Sequence, residues 1–372
     1  MIVLADIHLG KVNDSFLIDG VPSQTHDIVT RLNAALVRAK ITRQCIVLAG
    51  DIFNKVNPTT QTLAVLFAWL STCSESNVDT YIIAGNHDGS SEWVSTSMFQ
   101  VADLKHLYVI TQPDALDVFE AGDSIKRECV FWPHMPLSAR DLAEQGHGSI
   151  SKYVSDMFPK AEFIITHGTI SGEGAYQNDI FFEAGDSMRI EPTEFRNLKL
   201  MVLGHIHDHK EGKGWAYPGS VTINNFGEVD EEKGWIEVDL KTLSYVWYPY
   251  PDDVTPWVHV ELDFTEKDET SLDEEVISEL VSGAIVKITV LAKSHGIIDE
   301  VYIKKLFNKY GHVTRFETVV ISDIATNPEA EAEHVSNSDL LDNYLSTETD
   351  ASKEDRANAI RIGMKIIAEA HA

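Results

Sequence analysis

Over the first 250 residues the chain repeats one pattern: a short aliphatic run that closes on a cluster of Gly, Asp, Asn or His. Ile2-Val3-Leu4 runs into Ala5-Asp6-Ile7-His8-Leu9-Gly10, and Cys45-Ile46-Val47-Leu48 into Ala49-Gly50-Asp51. Tyr81-Ile82-Ile83 runs into Ala84-Gly85-Asn86-His87-Asp88, Phe163-Ile164-Ile165 into Thr166-His167-Gly168, and Leu200-Met201-Val202-Leu203 into Gly204-His205-Ile206-His207. Such runs, closed by turn residues, predict strands buried on both faces. Helix-like stretches lie between them, at 27–40 and 60–71. Alternating strands and helices predict an α/β sheet, whose sites gather at the carboxyl ends of strands. All five polar clusters fall at such ends.

Beyond His207 the texture changes. Segments 215–221, 235–240 and 244–250 read as antiparallel strands joined by turns, completing a first domain over 1–250. Residues 251–256, with two prolines, read as a linker. A β-α-β-α-β pattern then predicts a small α/β domain over 257–322, with strands at 257–264, 284–291 and 314–321 and helices at 271–282 and 299–310. Residues 323–338 are acidic and poor in large apolar side chains, and read as a flexible linker. The tail, 339–372, offers helices at 339–345 and 353–370. Ser352 with Asp355 makes a capping-box-like start, and Ile360, Met364 and Ile367 form a stripe at i, i+4 and i+7. Spacing alone leaves open whether that stripe packs on its own chain or on a partner.

Composition is that of a globular protein, 44% hydrophobic and 24% charged. No run of 18 uncharged apolar residues is present, so no membrane-spanning helix is expected. Asp6 and His8 break the start of the chain where a secretory signal would be apolar, and no such signal is expected. Three scattered cysteines, Cys45, Cys73 and Cys129, fit a reducing cytoplasm and neither a disulfide framework nor a zinc finger. Charge alters the picture most. The formal net is −28, and residues 251–372 hold 25 acidic against 11 basic side chains. Taken alone, that balance repels nucleic acid and anionic membranes; bound divalent ions would offset part of it.

The clusters carry the candidate chemistry. Imidazole and carboxylate together suit Mn, Fe or Zn, whereas an all-oxygen set would suit Mg or Ca. Asp6, His8, Asp51, Asn86, His167, His205 and His207 are too many ligands for one ion and suit two with one carboxylate shared. Ligands at i and i+2 point to opposite faces of a strand, so the pairs 6/8 and 205/207 converge only in a loop past the strand end. Each cluster by itself is common turn chemistry; the ordered set of five is not.

That ordered set resembles the calcineurin-like metallophosphoesterase superfamily, over about the first 250 residues. The resemblance implies an α/β (α+β) fold, a β-sandwich flanked by helices, with a two-metal site. It places Asp6, His8, Asp51 and His207 on one ion and Asp51, Asn86, His167 and His205 on the other. His87 would act on the scissile phosphate as acid catalyst or charge stabiliser. Diester hydrolysis needs a nucleophile near neutral pH, in-line approach and a sink for charge, which two ions supply together, while His87 titrates in the range a leaving group needs. Asp88 either orients a neighbouring imidazole as a catalytic partner or stabilises its turn.

Finer features resemble the SbcD-type nuclease subunit of the double-strand-break repair complex. They are Asp6-Ile7-His8-Leu9-Gly10-Lys11, Gly50-Asp51-Ile52-Phe53, Tyr217-Pro218-Gly219-Ser220, Asn225-Phe226-Gly227-Glu228 and Glu232-Lys233-Gly234-Trp235. The resemblance implies a Mn-dependent 3′–5′ exonuclease and single-strand or hairpin endonuclease acting in DNA repair and recombination. It further implies a DNA-binding capping domain at 257–322 and a C-terminal helical segment docking on an SMC-like, SbcC-type ATPase through Leu341, Tyr344, Ile360, Met364 and Ile367. The assembly implied is a homodimer within a heterotetramer in the cytoplasm, the host's if the chain is phage-encoded. Lys11 and Asn54 are the DNA-contact candidates; Asn54 stands where the family often has His or Asp, which leaves the exonuclease and endonuclease balance open. His26, His106, His134, His147 and His209 are assigned to surface or packing. A protein Ser/Thr phosphatase would continue Gly50-Asp51 with Asp-Arg-Gly, where this chain has Ile52-Phe53-Asn54-Lys55. A small-molecule phosphodiesterase of the same superfamily and a non-catalytic scaffold are the alternatives.

Overall fold

The structure, a computed structural model, describes residues 1–320 except 13, 90–95, 97–98, 101, 103, 120–125, 136–140, 142, 145, 172–187, 252–253, 266–271 and 294–298. The acidic linker and the tail, with Leu341, Tyr344, Ile360, Met364 and Ile367, therefore lie outside the described residues.

Two six-stranded mixed sheets face each other. The first runs Tyr245–Pro249, Gly234–Val238, Ile2–Leu4, Ile46–Ala49, Thr80–Ile83, Leu107–Ile110, and the second Lys210–Gly212, Trp215–Tyr217, Leu200–Gly204, Phe163–His167, Lys126–Trp132, Asp114–Phe119. Strand side chains alternate between two apolar surroundings, which is why each run is apolar throughout. Val3, Val47 and Ile83 of the first sheet pack between the sheets against Phe131, Ile165 and Val202 of the second. Ile2, Leu4, Leu48 and Ile82 instead meet the helices Ser23–Thr42 and Thr60–Glu75. Val130, Ile164, Met201 and Leu203 are covered on the far side by helix Ile150–Met157. The result is a helix–sheet–sheet–helix sandwich, as the resemblance implied.

Helix Ser23–Thr42 buries Ile28, Leu32, Ala35, Leu36 and Ala39, one face of a 3.6-residue period. It begins four residues before the expected start at 27 because its first turn carries no side-chain cap and buries the polar Ser23, Gln24 and Thr25, which no apolar spacing announces. Arg43 ends it in the left-handed region at φ 56°, returning its N–H to Ala39 O.

The expected antiparallel group after His207 divides between the sheets. Trp215–Tyr217 pairs parallel with Leu200–Gly204 in the second sheet, while Gly234–Val238 and Tyr245–Pro249 pair antiparallel in the first. Chain 218–233 crosses between the sheets at their carboxyl ends, with Ser220 bridged to Ala5.

Residues 257–320 form a parallel sheet, Trp257–Asp263, Ile285–Ala292, His312–Val320, with helices Glu274–Val281 and Glu300–Phe307. Val260, Ile288 and Val290 pack under Ile277, Val281, Ile303 and Phe307 in a core of their own. This sheet joins the sandwich in one compact unit spanning Met1–Val320. Trp257 and Ile285 pack with Phe226 and Phe16, Phe16 stacks on His312 at 3.6 Å between ring centroids, and Arg315 makes a two-pronged ion pair with Asp14.

Candidate metal centre

Every cluster singled out in the sequence arrives at one place, the carboxyl end of the sandwich. Asp6, His8, Asp51 and His205 have positive φ values of 52°, 48°, 49° and 108°, a costly region for residues with a Cβ. The strain serves convergence. Left-handed turns at Asp6 and His8 swing residues two apart toward the same point, with backbone bonds from Asp6 N to Gly50 O and from His8 N to Asp51 O holding the loop to its neighbour. Gly50 and Gly85 lie where a Cβ would run into the His167 ring and the Asp51 carboxylate respectively, so both positions require glycine for close approach.

The side chains form two adjacent groups. Ligand atoms of Asp6, His8 and His207 lie mutually within 4.8 Å, as do those of Asp51, His167 and His205. Asn86 Oδ1 faces both His167 Nε2 and His205 Nδ1, each at 3.1 Å, and so belongs with the second group. Asp51 stands between them. Its Oδ1 is 3.4 Å from His167 Nε2 and accepts the His87 N–H at 2.9 Å, whereas its Oδ2 is 3.7 Å from His8 Nε2. One oxygen turned to each group is the arrangement a shared carboxylate needs.

The imidazoles are aimed by their other nitrogens. His167 Nδ1 donates to Ala49 O at 2.9 Å and His207 Nδ1 to Glu228 Oε1 at 2.9 Å, so in each neutral ring the Nε2 lone pair is directed inward. His8 and His207 bring their Nε2 atoms to 2.9 Å from each other, close enough to share a proton that a cation between them would displace. The donor set therefore fits two borderline-hard divalent ions.

Burial and charge divide the titrations. Burial raises Asp6 to about 6, beyond what its histidine neighbours pull back. Burial also opposes ionisation of Asp51, but His167 and His8 outweigh it and hold Asp51 well below the usual carboxylate range. His167 loses basicity to burial and regains more from Asp51, ending at about 9. His205 falls to about 3, chiefly by burial and then by His167. His134, assigned to packing, contributes to that fall: it follows strand Lys126–Trp132, its N–H donates to Ala84 O, and its ring lies within electrostatic reach of His205.

His87 stands at the mouth. Its side chain is 34% exposed, its Nδ1 donates to Asn54 O at 3.2 Å, and its Nε2 lies 3.9 Å from Asp51 Oδ2. That orientation presents Nε2 to whatever enters, while leaving it near enough to Asp51 and His8 to form a third close group. Asp88 is fully buried and accepts N–H bonds from Gly85, Ile52 and Phe53, so its carboxylate braces the second cluster against the third. Burial and the charge of Asp51 raise it to about 7 even so. Asn54 contributes its backbone oxygen to His87 and its N–H to Leu9 O; Lys11 N–H closes a turn on His8 O. Both side chains are partly exposed at the rim. The apolar-run pattern missed Glu228 and Lys233 as site residues, although both stand within segments that carried the resemblance.

A family model described as calcineurin-like phosphoesterase matches residues 1–209, more than half of the chain. The chain belongs to that family. This phosphoesterase is 30% identical over 265 residues to the SbcD subunit of the SbcCD nuclease of Bacillus subtilis, an alignment covering 64% of the chain and 65% of that protein. It is 24% identical over 318 residues to the DNA double-strand break repair protein Mre11 of Methanopyrus kandleri, covering 80% and 65%. The exonuclease subunit 1 of Enterobacteria phage T4 is 22% identical over 332 residues, 86% of each chain. The phosphoesterase thus spans just under two thirds of the SbcD and Mre11 relatives. Among its described residues, no helix is long and apolar enough to cross a membrane.

Proposed function

We propose that the chain is a metal-dependent DNA nuclease subunit that hydrolyses phosphodiester bonds. The observation that carries the reading is Asp51, with one carboxylate oxygen turned to each of two ligand groups and the partly exposed His87 beside it. In this reading Asp6, His8, Asp51 and His207 hold one ion, and Asp51, Asn86, His167 and His205 the other. When bound, two divalent ions supply the nucleophile, orient the diester and neutralise charge on its phosphoryl oxygens. His87 Nε2 meets the scissile phosphate and protonates or stabilises the leaving oxygen, with Asn54 O fixing the ring through Nδ1. Asp88 ties that turn to the Asp51 loop by accepting from Gly85, Ile52 and Phe53 N–H.

The nuclease and double-strand-break-repair names of the relatives support DNA as the substrate. Mn²⁺ as the working ion, 3′–5′ degradation of ends with nicking of single strands and hairpins, and an SMC-like ATPase as partner complete the proposal as implications of the sequence resemblance. Residues 257–322 would serve as the DNA-facing cap, and the tail at 339–372 as the docking segment. On that reading the ATPase brings much of the DNA-binding surface, which reconciles the net charge of −28 with a nucleic-acid substrate.

The test uses purified chain, end-labelled duplex and hairpin DNA, and Mn²⁺ with and without EDTA, with Asp51→Asn as the contamination control. Metal-dependent degradation that vanishes in the variant supports the reading, and the product ladder gives polarity. Hydrolysis of a small chromogenic diester with DNA untouched, even with an SbcC-type partner added, would instead favour a small-molecule phosphodiesterase. No metal-dependent hydrolysis of either would sink both.

A further inference from the structure

Glu228 lies outside all five clusters, yet it is 95% buried and tied directly to one of them. Its Oε1 accepts His207 Nδ1–H at 2.9 Å and Asn225 Nδ2 at 2.6 Å. Its Oε2 accepts the Asn224 N–H and the Lys233 ammonium, both at 2.9 Å. The ammonium is itself buried, its side chain 1% exposed, and it also donates to His207 O at 3.0 Å and Glu231 Oε2 at 2.7 Å. A buried carboxylate with four donors and a buried cation with three acceptors make a closed network around the backbone and ring of a single ligand.

We propose that Glu228, locked by Lys233, is the positioning residue for His207, fixing the ring tautomer that turns Nε2 toward the metal centre and so setting the affinity of one ion and not the other. The inference rests on the two-metal reading above. The geometry makes the pair directional. Oε2 faces a fixed backbone N–H and a cation, so only an acceptor is tolerated there, and the oxygen left over must accept from His207 Nδ1. In the neutral ring, the form that can hold an ion, the proton is thereby kept on Nδ1, away from the centre. With the Asn224 N–H and the Lys233 ammonium on Oε2 and the Asn225 amide on Oε1, the carboxylate is surrounded by donors and is left only an acceptor's role toward His207. In the second group His167 is aimed instead by the backbone oxygen of Ala49.

Glu228→Gln inverts the logic. Asn224 N–H and Lys233 claim the amide oxygen, so the amide NH₂ faces His207 Nδ1 and drives the ring proton to Nε2, where it opposes the ion. Adding Lys233→Met removes the buried cation and the stronger claim on that oxygen, which can then turn back toward His207.

Mn²⁺ titration followed by electron paramagnetic resonance, alongside ¹⁵N NMR of ring-labelled histidine in the metal-free proteins, tests this. Wild type is expected to bind two ions. Glu228→Gln should weaken one of them about 10- to 100-fold, the usual worth of an outer partner, leave the other within about twofold, and move the His207 proton from Nδ1 to Nε2. The Glu228→Gln/Lys233→Met double variant should recover part of the lost affinity, and it carries the test alone if the single variant does not fold. Two ions bound as in wild type by either folded variant would overturn the proposal. So would equal loss of both ions, an unchanged tautomer, or a double variant that recovers nothing. Failure of the wild type to bind Mn²⁺ would instead sink the two-metal reading itself.

Discussion

The two halves of the candidate centre have similar donor sets and different foundations. On one side His167 is aimed by Ala49 O, a backbone atom of the strand that also delivers Gly50 and Asp51, and Gly204 lies against that same oxygen. On the other, His207 is aimed by a side chain from a 3₁₀ turn, Phe226–Glu228, whose Phe226 packs on Trp257 of the third sheet and lies under Arg315. A backbone support moves only if the sheet moves. A side-chain support moves with whatever touches its turn. The first half is therefore built for constancy, and the second is open to events at residues 257–320.

The largest effect tests what the halves share. Asp51→Asn keeps the shape but replaces one carboxylate oxygen by an NH₂ that must point at one group or the other. Breaking so buried a charge arrangement costs about 3–5 kcal/mol, on the order of 10²–10⁴ in affinity. Both ions should weaken and diester hydrolysis should disappear; calorimetric Mn²⁺ titration checks this, and retention of one ion at full strength would show that Asp51 is not shared. Next in size, His87→Ala should cut turnover by about 10²–10⁴ with metal binding nearly intact. Loss of an ion in that variant would make His87 a ligand, consistent with its closeness to His8 and Asp51.

What was legible in the sequence follows from this division. The candidate ligands stood out because metal chemistry restricts residue type, and each cluster sits at the end of an apolar run, so the structure brings them to one place. The helices showed through their apolar period, and residues 257–320 through alternating element types. Residues 215–249 were less so: Trp215–Tyr217 and Gly234–Val238 have similar texture, and which sheet each joins depends on partners far along the chain. The left-handed backbone at Asp6, His8 and Asp51 was invisible as well, since none is glycine and the strain is held by contacts to Gly50 O and Asp51 O. Glu228 and Lys233 lie in segments that carried the resemblance but drew no site role, because only the crossing of 218–233 between sheets buries them beside His207.

A third effect separates the halves by protons. His167 at about 9 and Asp6 at about 6 are both raised above their free values, so each contributes stability to the metal-free fold that is complete below the unfolded value and lost as pH rises through the folded one. For His167 that window runs from about 6.5 to 9, and for Asp6 from about 3.8 to 6. An incoming ion must displace the same protons. Apparent Mn²⁺ affinity at the His167 half should therefore rise about tenfold per pH unit up to pH 9 and then level off. Thermal stability of the metal-free protein should meanwhile lose the His167 contribution over the same range. Calorimetry in buffers of different ionisation enthalpy counts the released protons, and an affinity flat between pH 7 and 9 would mean that His167 enters the site already neutral.

The smallest effect bears most directly on the comparison. Phe226 is 9% exposed, 4.8 Å from the Trp257 ring and 5.6 Å from the Arg315 guanidinium carbon, and it shares its turn with Glu228. Phe226→Ala leaves every donor to Glu228 in place but removes the packing that presses the turn against the third sheet. The turn then gains freedom, and the cost of holding Glu228 on His207 rises by about 0.5–1 kcal/mol, the lower range for coupling through packed side chains. The ion on the His207 half should weaken by two- to fivefold and the ion on the His167 half should not change. Arg315→Ala, which releases Asp14 and uncovers the same ring, should move affinity in the same direction by less. Equal weakening at both ions would make Phe226 a general support of the fold. No weakening at either would mean that Lys233 alone holds Glu228, and that the third sheet is energetically silent at the centre.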